Sequence, residues 1–128
     1  VIRREQMAAL QRARDGKLAE WVVQYLRARH PATLAGLDAS EAMHRALAGV
    51  SRARRHGFVT SNAYGEFIAA MLRHAPDFDA HPEFISRFAP REDETPDATL
   101  ARALREMTPT AWKEVVLAAD AGVWNSFP

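Results

Sequence analysis

"SNAYGEFIAAMLR", residues 61–73, decides how this chain is read. Tyr64, Phe67, Ile68, Met71 and Leu72 stand three and four residues apart, which gathers them on one face of an α-helix. A strand would need apolar and polar residues to alternate, and they do not. Ser61 can serve as N-cap, its hydroxyl accepting from a backbone N–H that the first turn leaves free. Pro76 marks the end, because a proline disfavours helical geometry in the residue before it. This stripe is the expected centre of the core.

The same signals recur on both sides. Upstream, residues 3–29 carry Leu18, Trp21, Val22, Tyr25 and Leu26 at helical spacing, and Met7 and Leu10 begin a similar stripe. Gly16 interrupts it, at about 1 kcal/mol relative to alanine. Asp38 and Glu41 have capping-box spacing and open a second helix with Met43, Ala46, Leu47 and Val50 inward. Arg52, Arg54, Arg55 and His56 crowd its last turn, where cations suit the helix dipole, and Gly57 terminates it. Downstream, a short helix follows Pro82 with Phe84, Ile85 and Phe88. Thr95-Pro96 and Thr108-Pro109 each read as an N-cap followed by proline at the first helical position. The stripes behind them are Leu100, Leu104 and Met107, then Trp112, Val115, Val116 and Ala119, with Gly122 as the stop. The expected fold is therefore all-α, a compact bundle of five or six helices in one domain over residues 1–128. "PREDETP", residues 90–96, reads as the core of a mobile polar linker near 89–96.

Composition narrows the function classes. With 128 residues, 48% apolar and 26% charged, the chain is an ordinary globular length and balance. There is no cysteine, which removes disulfides, thiolate metal sites and a cysteine nucleophile. No apolar run approaches the ~20 residues of a membrane span, so no membrane partner is expected, and cytoplasmic residence is the simplest expectation. Net charge is +1. Residues 1–75 nevertheless hold twelve Lys/Arg and six Asp/Glu, and residues 76–128 hold five and ten. Unless the halves cancel by packing together, such a polarity steers charged partners.

Three clusters invite a functional reading. His74, Asp77, Asp79 and His81 are all plausible metal ligands, but they lack a recognised ligand pattern and suit a helix-to-helix joint better. In that role Asp79 or His81 would cap the next helix while Phe78 and Phe84 anchor the loop. "RARRH", residues 52–56, could meet phosphates and, with the third helix, has a helix-turn-helix outline. The third helix is too apolar to read base edges, so nucleic acid is not an expected partner. Glu20, Glu66 and the run Glu92, Asp93, Glu94 could supply acid–base chemistry, with Glu20 and Glu66 placed to edge a pocket. No nucleophile elbow or phosphate-binding glycine loop accompanies them, so neither catalysis nor a cofactor is expected. Trp21 and Trp112 read as core. Trp124, after the last helix, can fold back or anchor a partner.

"IRREQM", residues 2–7, and "RHGFVTSNAYGEFIAAMLRHAPDFD", residues 55–79, resemble small bacterial proteins found near type VI secretion and polymorphic-toxin genes. The likeness covers roughly the first 88 residues. It implies an accessory role beside a secreted effector, as adaptor, chaperone or immunity protein, and supplies no catalytic residues. The expected function is a non-enzymatic protein-interaction module with another protein as partner, Glu92, Asp93, Glu94 and Trp124 being the candidate contacts. The alternative is a helix-turn-helix-like DNA-binding regulator.

Overall fold

The computed structural model describes residues 3–125. They form α1 (Arg4–Arg29), α2 (Ala39–Arg54), α3 (Ser61–Arg73), α4 (Pro82–Ile85), α5 (Pro96–Glu106) and α6 (Pro109–Leu117). Short 3-10 turns at Pro31–Leu34, Phe78–Ala80 and Ala121–Asn125 join or follow them, and the described residues contain no strand. The all-α bundle is thus the fold. No helix among the described residues is long and apolar enough to cross a membrane.

Every helix after the first opens on a side-chain cap. Asp38 accepts from the Glu41 N–H at 2.8 Å, His81 Nδ1 from Glu83 at 3.1 Å, Thr95 from Ala98 at 3.1 Å and Thr108 from Ala111 at 3.0 Å. Each such cap contributes about 1 kcal/mol. The cap of α3 is Thr60 and not Ser61, with Ala63 N at 3.2 Å. Asp97 explains the difference. Its carboxylate accepts from the N–H groups of Val59 and Thr60 and from the Thr60 hydroxyl, all at 2.7–2.8 Å, and this holds Thr60 extended. Gly57, at φ +76°, makes the preceding turn in a conformation that side chains rarely adopt. At the other end, α6 stops at Leu117, well before Gly122. Asp120 accepts from the Gly122 N–H at 3.0 Å and gives its own N–H to Asp77, a local bonding that competes with helix.

α1, α2 and α3 pack mutually, and α3 is the inner member. Of its thirteen residues only Ser61, Asn62 and Arg73 are exposed. Two glycines let the backbones approach. A Cβ on Gly49 of α2 would lie 2.6 Å from Ile68, and one on Gly65 of α3 would lie 2.6 Å from the Tyr25 ring. Behind α3, Phe58, Phe67, Phe78, Phe84 and Phe88 form a connected aromatic cluster with ring centroids 4.8–6.3 Å apart. Within the expected stripe Phe67, Ile68 and Met71 are buried, while Tyr64 and Leu72 pack at the edge. α5 rests on α3, and α4 on α6.

α1 runs through Gly16 unbroken, and its apolar arc divides. Ala19, Val22, Val23 and Leu26 are buried. Trp21, expected in the core, is instead 39% exposed and stacks on Tyr25 at 5.0 Å between centroids. The reason is angular: at 100° per residue Trp21 lies about 100° from Val22 and about 140° from Leu26, at the edge of the apolar arc farthest from the buried face.

Because Phe67 is fully buried against the rings of His56, Phe58 and Phe78, Phe67→Ala should cost about 3–5 kcal/mol in urea unfolding. A loss below about 1 kcal/mol would place the core elsewhere.

Candidate interaction surface

The four side chains in 74–81 go four ways. His74 stacks flat on Trp112, with centroids 3.7 Å apart, and burial together with the charge of Arg73 pushes its pKa down to about 4. Asp77 accepts from the Asp120 N–H at 3.3 Å, and His81 caps α4. Asp79 turns inward and accepts from Arg52 Nε at 2.6 Å and His56 Nε2 at 2.8 Å, with its side chain only 6% exposed. Among the described residues no three His, Asp or Glu side chains converge as a metal cage. The stretch is a joint, with Phe78 and Phe84 buried beneath it.

The same clasp absorbs much of the basic cluster. Arg52 and His56 face Asp79, and Arg54 pairs with Asp15 of α1. Burial would raise the pKa of Asp79, but the hydrogen bonds from His56 and Arg52 and their charges outweigh it and hold it below the usual range.

The expected mobile linker is tied down. Arg102 of α5, itself buried, gives its guanidinium to the carbonyls of Arg87 and Ala89 at 3.0 and 2.8 Å and to both oxygens of Glu94 at 2.7 and 2.8 Å. Glu94 is therefore no free surface charge. Arg102, with help from the Arg91 N–H and the Thr99 hydroxyl, lowers its pKa to about 2. Glu92 and Asp93 do stand exposed, Asp93 at φ +61°. Trp124 is folded back rather than presented. It is 6% exposed, Arg45 lies over its ring at 5.1 Å, and its carbonyl accepts from His44 Nε2 at 3.0 Å. Residues 126–128 of the expected tail lie outside the described residues.

Glu66, singled out as a pocket edge, borders two cavities of about 460 and 150 Å³ between α3 and the α5–α6 side. One of its oxygens accepts from both the Tyr25 hydroxyl and His30 Nε2, the latter at 2.9 Å. Arg73 donates to His30 Nδ1 at 3.1 Å. A guanidinium cannot accept, so the Arg73 contact makes Nδ1 the acceptor and leaves the Nε2 hydrogen for Glu66. Burial opposes the charged form of Glu66, yet the Tyr25 and His30 bonds, with the charge of Arg73, lower its pKa. Burial and the Glu66 bond push the Tyr25 pKa up to about 12. Both nitrogens of the imidazole are engaged, and among the described residues no serine, threonine or lysine is bonded into the network. The cluster fastens the end of α1 to α3. Glu20, the other candidate, is exposed.

A larger opening lies elsewhere, between the first half of α1 and α2. A groove of about 610 Å³ has Ala8, Arg12 and Gly16 on one wall and His44, Leu47 and Ala48 on the other. Residues 3–14 are exposed throughout, with Met7 at 60%, Leu10 at 51% and, across the groove, Leu47 at 39%. A Cβ at Gly16 would meet nothing within 4 Å. The sequence extends the apolar stripe to Met7 and Leu10 without showing which way it faces. The signal available is the cations interleaved with these residues.

No protein-family model matches the chain, no curated protein matches it in sequence, and no solved structure matches its fold.

An aspartate whose folded pKa is depressed adds stability that is present above its unfolded value, about pH 4, and lost as the pH falls through the folded value. Stability should thus decline in acid below about pH 4.5. Asp79→Asn should flatten part of that decline while lowering the neutral-pH stability by about 3–5 kcal/mol, as when one partner leaves a buried ion pair. Urea midpoints between about pH 2 and 7 measure both effects. An unchanged acid limb in the variant would show that another carboxylate governs it.

Proposed function

We propose that this chain is a non-enzymatic protein-binding module, an accessory protein (adaptor, chaperone or immunity protein) of a secreted-toxin or type VI secretion system. It binds its partner through the first half of α1 and the groove beside α2. The observation that carries this reading is the exposed helix half: every residue of 3–14 is exposed, Met7 and Leu10 among them. Helices in proteins draw most of their stability from packing an apolar face, and among the described residues this half has no buried side chain. Uncovered apolar side chains beside a groove are what a protein interface uses. The secretion setting rests on the resemblance of residues 2–7 and 55–79. The DNA-binding alternative has less support, because Arg52 and His56 are turned into the Asp79 clasp and α3 is inside the bundle.

Two outcomes follow from this surface. Gly16→Ala should raise stability by about 0.5–1 kcal/mol in urea unfolding, since alanine favours helix and its Cβ has open space in the free protein. Leu47→Asp should leave the fold intact, because the side chain is already 39% exposed, and should abolish stoichiometric capture of a partner from the native host. Capture retained in Leu47→Asp, and in a Leu10→Asp variant, would sink this assignment of the surface.

A further inference from the structure

Resting on that reading, we propose that the groove between α1 and α2 takes an acidic amphipathic helix of the partner protein. Charge is the first argument. Arg3, Arg4, Arg12, Arg14 and Lys17 lie on or just before the first half of α1, and none of them forms an ion pair among the described residues. The acids nearest them on α1 are Glu5, Asp15 and Glu20, and Asp15 is already held by Gln11 and Arg54. Cations also crowd the positive end of the helix dipole, an arrangement that disfavours the free helix and that incoming carboxylates would reverse. Of these cations Arg12 lines the groove, and Arg4, one turn before Ala8, lies on the same side of α1.

Shape is the second argument. The opening is concave, about 610 Å³, with small residues (Ala8, Gly16, Ala48) between the larger Leu47 and the cation Arg12. Side chains at i, i+3, i+4 and i+7 of an entering helix fit such a trough, and the missing Cβ of Gly16 lets its backbone come close. A flat anionic bilayer cannot enter the concavity, and nucleic-acid phosphates have no use for its apolar floor. Acidic residues flanking the entering apolar stripe would meet Arg4 and Arg12 across the rim.

Binding is measured by fluorescence anisotropy on the full chain with two stapled helical peptides. Both carry Leu at i, i+3, i+4 and i+7. One has Glu and the other Lys at the remaining positions. The Glu peptide should bind at least about tenfold more tightly than the Lys peptide, weaken about tenfold between about 0.05 and 0.5 M salt, and fail to bind Leu47→Asp. In Arg4→Glu/Arg12→Glu the preference should invert, toward the Lys peptide. That variant is expected to fold, because glutamates suit a helix N-terminus. Binding of neither peptide, or equal binding of both, would overturn the proposal. So would phosphatidylserine vesicles or duplex DNA bound as well by Leu47→Asp as by the parent. Host-partner capture that is lost in Leu47→Asp but undiminished in Arg4→Glu/Arg12→Glu would refute the acidic helix while leaving the protein-binding surface standing.

Discussion

Asp79 is the carboxylate on which the arrangement of the helices depends. It leaves the α3–α4 joint, enters the interior and meets Arg52 from the last turn of α2 and His56 from the turn beyond it. Three chain segments are thereby fixed at one point. The His56 ring in turn lies 5.2–5.8 Å from Phe58, Phe67 and Phe88, so the ion cluster forms one wall of the aromatic core. Burying such charges is expensive unless each is paired and hydrogen-bonded, and here both oxygens of Asp79 are occupied. The clasp specifies where α2 ends and how α3 enters as much as it adds stability.

Arg102 does for the C-terminal half what Arg52 does for the N-terminal half. One guanidinium gathers the chain leading into α5 by its carbonyls and by Glu94, and reaches Glu106 one turn on. Together the two arginines redistribute the charge polarity of the sequence. Asp79 brings a negative charge of the acidic half into the basic half, and Arg102 neutralises carboxylates of its own half. The cations on the first half of α1 take part in neither cluster.

Local chemistry made much of the fold legible. Asp38, Thr95-Pro96 and Thr108-Pro109 mark helix starts by short-range bonds that depend on a few neighbouring residues, and the Phe67 stripe marks the inner helix by period alone. Glu66 was legible as a pocket edge because it sits beside that stripe. Its partners were not, since Tyr25 and His30 lie 41 and 36 residues away, and no spacing rule spans that distance. The Asp79 clasp was hidden for the same reason. The segment 89–96 read as a free linker because prolines and acids usually are solvated, and a single arginine several residues later reverses that. Periodicity identified the apolar arc of α1 correctly but not which edge of it the core would take, so Trp21 was assigned inward. For Trp124 the sequence left folding back and presentation both open, and the His44 bond and the Arg45 cation–π contact decide for the former.

That His44 bond spans 80 residues, and His44 is also part of the groove wall. The order of synthesis therefore matters. The first half of α1 is the earliest part of the described chain to leave the ribosome, and α2 follows with His44 still unfastened. Only when Trp124 has emerged can its carbonyl receive the imidazole and complete that wall. A nascent chain displays Met7, Leu10 and their neighbouring arginines early but has the finished groove only once Trp124 has emerged. Closing such a distant contact is among the slower steps of assembly, because long-range pairing must first overcome the entropy of the intervening chain. Formation of the groove is in this way coupled to the emergence of Trp124.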